Sequence, residues 1–407
     1  MQAENDKTTE YLDIFDKCFN FEDAKRVKAA GYYPYFHPIQ SAPGDEVVVD
    51  GRKCIMIGSN NYLGLVSHPA VKEAAAKAAM EYGTGCTGSR FLNGTLDLHL
   101  ELEHKLAEFV GKERALVFST GFQTNLGTIS CLAGKRDAII IDRQVHACIV
   151  DGCRLSYGKV YKFTHNDMAD LERVMANARR EHQSGGIMLV VDGVFSMEGD
   201  IIDLPSVVEI CKKYHARILV DDAHSVGVLG KTGAGTAEHF GLTDDIDLIM
   251  GTFSKSFAGI GGFVAGANDV IDYIQHNART MIFSASIPPA AAAAVLAALD
   301  IMKKEPDRRE RLWQNAQRIM RDFRALGLNI GHTATPIVPI IVGDDHRCFS
   351  FWKLLLENGL FTNPVVAPAV APGGALIRTS YTATHTDEQL DRVVETVGRI
   401  AKQMGLI

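Results

Sequence analysis

Asp247-Leu-Ile-Met-Gly-Thr-Phe-Ser-Lys-Ser256 is the stretch that decides the fold of this 407-residue chain. A short apolar run, Leu248–Met250, ends in small and hydroxyl residues, and Gly259, Gly261 and Gly262 follow. A continuous apolar run bounded by Gly or polar residues suits a strand buried on both faces. Five more such runs lie along the chain: Ala115–Phe118, Ala138–Ile141, Ile187–Val191, Ile218–Val220 and Gly262–Ala265. Amphipathic stretches such as Met168–Arg179 and Pro205–Tyr214 fall between some of them. Strands alternating with crossover helices predict an α/β fold with a mostly parallel sheet covered on both faces. Ligands bind at strand ends in such sheets.

Working outward, the chain divides into three parts: an N-terminal arm over 1–60, a large domain over 61–290 and a small α+β domain over 291–407. The arm reads as a helix, a Tyr/Pro/Gly segment and a short hairpin around Gly51. Beyond Pro288 a helix-rich stretch (Ala290–Leu326) leads to strand candidates at Ile337–Val342 and Ala375–Ser380 and a terminal helix from Asp387.

Composition narrows the function classes. Hydrophobic residues make up 46% and charged residues 22%, enough apolar material for a large core without staples. The net charge is −7 with no long basic run, which argues against nucleic acid as a partner. The eight cysteines form no Cys-x-x-Cys pair, so reduced thiols in a cytoplasmic protein are expected and no metal. The N-terminal MQAENDKTTEYLDIFDKC has no apolar core, so no signal peptide is expected. The apolar run Ile287–Leu299 is too short to span a bilayer, although a peripheral membrane contact stays open.

Three strand ends carry chemistry. Lys255, held at the exit of a buried strand, can lose its proton and form a Schiff base with an aldehyde; the same segment also reads as a surface lysine in a Ser/Gly loop. Thr252 and Ser254 offer hydroxyls to a phosphate. Asp221 and His224, in Val220-Asp-Asp-Ala-His224, could pair with a pyridine nitrogen and a ring oxygen, or form part of a metal or hydrolase site. No third ligand sits at a recognisable spacing and there is no G-x-S-x-G elbow. Ser119-Thr-Gly-Phe-Gln-Thr-Asn125 turns a strand into a helix start, which is either a phosphate cradle or an ordinary cap. Gly230-Lys-Thr232 hints at a nucleotide-binding P-loop, but the opening glycine of that motif would fall at Ser225.

Together with Ser59-Asn-Asn-Tyr-Leu-Gly-Leu65, Gly88-Ser-Arg-Phe-Leu-Asn-Gly-Thr95 and Asp192-Gly-Val-Phe-Ser-Met-Glu-Gly199, these segments resemble the α-oxoamine synthases. These are fold-type-I pyridoxal-phosphate transferases, and the match runs from about Tyr32 to near the C-terminus. The resemblance implies a seven-stranded sheet between helices, pyridoxal 5'-phosphate as cofactor and a homodimer with a shared active site. It implies that Lys255 carries the cofactor, Asp221 meets the pyridine nitrogen, and His224 and Ser196 lie near the ring oxygen. Gly121 and Phe122 would contact the phosphate, with Thr252 and Ser254 adding hydroxyls and Ser284 and Ala285 reaching the phosphate of the neighbouring subunit. His146 would stack on the ring and, with Asn60 and Arg378, hold the substrate carboxylate. After His146 the chain reads Ala-Cys where the family often has Ala-Ser.

The Gly88–Thr95 segment, Gly199-Asp200, Asp222-Ala-His-Ser225 and Asn363-Pro-Val-Val-Ala-Pro368 are most similar to the family's bacterial serine palmitoyltransferase branch. That branch condenses L-serine with a long-chain acyl-CoA, with decarboxylation, to 3-oxosphinganine, the first step of sphingolipid synthesis. Glycine C-acetyltransferases and 8-amino-7-oxononanoate synthases share the scaffold and remain the alternatives. A catalytically silent partner subunit is the non-enzyme alternative, and Lys255, Asp221 and His146 together speak against it.

Overall fold

Buried strands at the expected places build the frame of the protein, a computed structural model that describes residues 13–407. The first twelve residues of the arm, with most of the stretch read for a signal peptide, lie outside the described residues. Strands β1 (Glu46–Val49) and β2 (Arg52–Met56) form the hairpin around Gly51. Seven strands follow: β3 (Arg114–Phe118), β4 (Ala138–Asp142), β5 (Lys159–Phe163), β6 (Ile187–Asp192), β7 (Arg217–Asp221), β8 (Leu248–Thr252) and β9 (Gly262–Gly266). Their order across the sheet is β3-β9-β8-β7-β6-β4-β5. All neighbours are parallel except at β9, which runs antiparallel to both β3 and β8.

The strand β5 is the one the apolar runs do not reveal. It forms one edge of the sheet, β3 being the other, and its sequence Lys-Val-Tyr-Lys-Phe leaves both lysines exposed. Charged side chains on an edge strand discourage pairing with another chain. The interior strands bury both faces: Ile140 and Val191 enter one hydrophobic core, and Ile139 and Val190 enter the other. Side-chain alternation along each strand thus feeds two helix-covered layers.

The C-terminal part is a three-stranded antiparallel sheet of β10 (Ile337–Gly343), β12 (Asn363–Val365) and β13 (Ala375–Ser380), in the order β10-β13-β12, with helices around it. The short strand β11 (Leu360–Phe361) pairs in parallel with β2, Leu360 opposite Ile55. Val47, Val49, Ile55 and Ile57 share a core with Ile340, Phe351, Ile377 and Ile400. The helix-rich stretch after Pro288 resolves into Pro289–Lys304 and Pro306–Ala325, broken where Pro306 opens the second helix. The terminal helix Asp387–Gln403 starts on a capping box: Gln389 N donates to Thr386 Oγ1 (3.2 Å) and Thr386 N donates to Gln389 Oε1 (3.0 Å). No helix among the described residues is long and apolar enough to cross a membrane.

Candidate active site

Parallel strands place their carboxyl ends on one edge of the sheet, so loops far apart in sequence converge there. A cavity of about 340 Å³ opens at that edge. Gly121 and Phe122 reach it from the helix after β3, and His146 from the loop after β4. Ser196 comes from beyond β6, Asp221 and His224 from the end of β7, and Thr252, Ser254 and Lys255 from the end of β8. A larger cavity, about 690 Å³, lies near the opposite strand ends beside Lys112, Asp137 and Arg217 and holds none of the expected residues. The convergent polar groups mark the smaller cavity as the chemical one.

Lys255 keeps some exposed surface, which faces the cavity, while the protein around it leaves its ammonium poorly solvated. Burial pushes its amine down to about 8, Asp221 works against this, and Arg378 adds to it. Asp221 is buried and both carboxylate oxygens are held: Ala223 N donates to Oδ1 (3.0 Å) and Asn125 Nδ2 to Oδ2 (2.6 Å). His224 is buried against Tyr62, whose hydroxyl lies 2.7 Å from Nδ1. Burial, with the nearby charges of Lys255 and Arg378, holds His224 well below the usual imidazole range. His146 lies exposed at the rim with its Nδ1 edge turned to protein. Lost solvation on that edge lowers it, Asp221 opposes the change, and Lys255 reinforces it.

The anion end of the cavity is backbone. The helix Gly121–Leu132 is capped by Thr120, whose Oγ1 accepts from Gln123 N (3.1 Å). The N–H groups of Gly121 and Phe122, in its first turn, have no acceptor within the helix and sit at its positive end. A Cβ on Gly121 would lie 2.6 Å from Thr252 Oγ1, so only glycine leaves this approach open. Thr252 Oγ1 lies 3.0 Å from Ser254 Oγ, placing two hydroxyls beside the same turn.

The remaining expected residues adjoin the cavity without lining it. Arg378, on β13, is buried and donates from Nε to Ser196 O (2.6 Å) and from Nη2 to Asn60 Oδ1 (2.8 Å). Asn60 Oδ1 also accepts from Tyr62 (3.3 Å), which joins this cluster to His224. Ser284 and Ala285 lie beyond the helix start: Gln123 Nε2 donates to Ser284 Oγ (3.2 Å), and Ser119 Oγ donates to Ala285 O.

Four further residues belong to the site. Asp192 is register partner to Asp221, and its Oδ2 accepts from His146 N (3.0 Å). Tyr62, Asn125 and Cys148 complete the contacts around His224, Asp221 and His146. Asn125 stands four residues beyond Gly121, on the same helix face, so its spacing could have revealed it. Cys148 follows His146 by two residues, but its contact with Asn125 is tertiary and leaves no sequence trace.

These groups fit pyridoxal phosphate: an amine of lowered proton affinity, a fixed carboxylate, and an anion cradle kept clear by glycine. The buried Asp192 Oδ1, without a hydrogen-bond partner among the described residues, leaves polar capacity at the same edge.

The model of the family "Aminotransferase class I and II" matches residues 52–397. The chain is similar to the serine palmitoyltransferase of Sphingobacterium spiritivorum, 52% identical over 96% of this chain and 97% of that one. An 8-amino-7-oxononanoate synthase of Treponema denticola is 42% identical over 97% of this chain and 99% of its own length. A solved structure of serine palmitoyltransferase with pyridoxal-phosphate internal aldimine superposes with a TM-score of 0.93 at 34% identity, over 97% of this chain and 100% of that one.

Proposed function

The chain belongs to the class I and II aminotransferase family and is a pyridoxal-phosphate-dependent acyltransferase, and on that premise we propose that it joins L-serine to a long-chain acyl-CoA with loss of carbon dioxide, giving 3-oxosphinganine. The observation that carries this reading is the Arg378–Asn60–Ser196 cluster beside Lys255 and Asp221, an amino-acid carboxylate site next to an amine of lowered proton affinity. The choice of serine is supported by the 52% identical relative, against 42% for the 8-amino-7-oxononanoate synthase.

Lys255 would hold the cofactor's aldehyde carbon and Asp221 its ring nitrogen. The N–H groups of Gly121 and Phe122, with the hydroxyls of Thr252 and Ser254, would hold its phosphate. Ser284 and Ala285 would reach the phosphate of a neighbouring copy in a homodimer. His146 would cover one ring face, and His224 and Ser196 would lie at the ring oxygen. Bound pyridoxal phosphate supplies an electron sink that stabilises negative charge at the amino acid's α-carbon.

The chain's residues do the rest. Arg378 and Asn60 orient the carboxylate, and a bidentate guanidinium suits that task. Lys255 Nζ, near 8, is neutral in a useful fraction at physiological pH and can take the α-proton. His224, held neutral, offers a hydrogen bond without adding positive charge. The reading places the enzyme in the cytoplasm, meeting its acyl donor in solution or at a membrane surface.

Titrating the cofactor-loaded chain separately with serine, glycine and alanine, and following its visible absorption, tests the proposal. A response to serine at much lower concentration than to the other two is expected. Preference for glycine or alanine would move the chain to the alternative members of the family.

A further inference from the structure

We propose that Cys148 is a positioning residue for His146, holding the imidazole with its single ring proton on Nε2 and tying it through Asn125 to Asp221. The inference rests on the placement of His146 in the site described above. Position 148 is also where the sequence departs from the family's usual serine.

The direction of each hydrogen bond follows from donor chemistry. The Asp221 carboxylate can only accept, and Asn125 Nδ2 lies 2.6 Å from its Oδ2. That contact fixes the amide with its NH2 group inward, since a flipped amide would set oxygen against oxygen. The second N–H of the amide then points to Cys148 Sγ at 3.1 Å. Cys148 is 2% exposed, and burial pushes its thiol up, so it keeps its hydrogen. With the sulfur accepting from Asn125, the S–H is free for its other polar neighbour, His146 Nδ1, at 2.8 Å. The backbone N–H of Cys148 donates to the same nitrogen at 3.2 Å. Nδ1 thus receives two donors and must present its lone pair, which leaves the proton of a neutral ring on Nε2.

Asp221, Lys255 and His224 are the charged or titratable side chains that act on this imidazole, and Asp192 accepts from the His146 backbone N–H. None of them donates to Nδ1. The Asp221–Asn125–Cys148–His146 chain thus joins the group meant for the ring nitrogen to the group meant for the ring face.

Nitrogen NMR on the full chain, labelled at histidine and loaded with pyridoxal phosphate, tests this, with His146→Gln identifying the signal. The wild-type ring is expected to show an unprotonated, hydrogen-bonded Nδ1 and a protonated Nε2. In Cys148→Ala the ring should titrate about one pH unit higher, the worth of one lost hydrogen bond to the neutral form. Cys148→Ser should restore the wild-type tautomer and most of the wild-type titration. A proton on Nδ1 in the wild type, or an alanine variant titrating with the wild type, would overturn the proposal. Should Cys148→Ala not fold, the wild-type tautomer and the serine variant still decide. A chain that shows no visible absorption with pyridoxal phosphate counts against the functional reading instead, while the tautomer in the same sample still decides this one.

Discussion

Asp192 and Asp221 stand side by side at the carboxyl ends of β6 and β7, both buried, and only Asp221 has both oxygens hydrogen-bonded. Two carboxylates this close do not ionise together at little cost. Burial raises Asp192 well above the carboxylate range, and the charge of Asp221 raises it further. Burial and the neighbouring carboxylate thus both favour the neutral form of Asp192.

Substitution should separate the two. Asp192→Asn mimics the neutral form that burial favours and should keep activity within about tenfold. Asp221→Asn removes the carboxylate proposed for the cofactor's ring nitrogen and should cost at least about a hundredfold in kcat/KM. Equal losses in both variants would show that the charge is shared.

Lys255 sets a pH dependence. Its amine is held at about 8, so the neutral fraction grows about tenfold per pH unit below that value and levels off above it. The rate at which the cofactor-free chain takes up pyridoxal phosphate should follow the same curve, and Lys255→Ala should abolish covalent attachment. The folded chain binds this proton more weakly than the unfolded chain does. The cofactor-free protein should therefore gain stability as pH rises from about 8 to 10.5, readable as a rising denaturant midpoint. An uptake rate flat across pH 7 to 9 (about two units around that value) would contradict the assignment.

Gly121→Ala should loosen the phosphate end. The new methyl group would meet Thr252 Oγ1 at 2.6 Å and Thr252 Cβ at 2.9 Å, so either the helix start or the hydroxyl must move. Overpacking of that kind costs about 1–3 kcal/mol, or roughly fivefold to 150-fold in affinity for pyridoxal phosphate. Titration of the cofactor-free variant reads the loss directly.

Arg378→Lys keeps the charge but not the fork that spans Ser196 O and Asn60 Oδ1. The KM for the amino acid should rise about tenfold or more, while the visible absorption of the loaded enzyme stays as it was. A changed absorption with an unchanged KM would place Arg378 with the cofactor instead.

The sheet was legible because its interior strands are uninterrupted apolar runs, such as Ala-Ile-Ile-Ile at 138–141, that end where the chemistry begins. The edge strand β5 was not, because exposed Lys159 and Lys162 interrupt its pattern. Lys255, Asp221 and Gly121 could be singled out locally as candidates, since each ends a strand or lies three residues beyond one, with the family likeness choosing among their readings. Tyr62 and Cys148 could not: their importance lies in contacts with His224 and Asn125, which lie 162 and 23 residues away. Arg378 and Asn60 were named from family likeness, and nothing in their surroundings foretold that they would bond to each other across 318 residues.

That last span orders events during synthesis. The residues lining the cavity lie between Thr120 and Gly261, and all of them are synthesised with more than a third of the chain still to be made. Asn60 is made earlier still, yet it waits for Arg378, on the last strand β13, before its carbonyl gains that partner. A nascent or truncated chain can therefore own the pieces of the cavity while lacking the Arg378–Asn60 pair, so the contact proposed for the amino-acid carboxylate is among the last the polypeptide acquires.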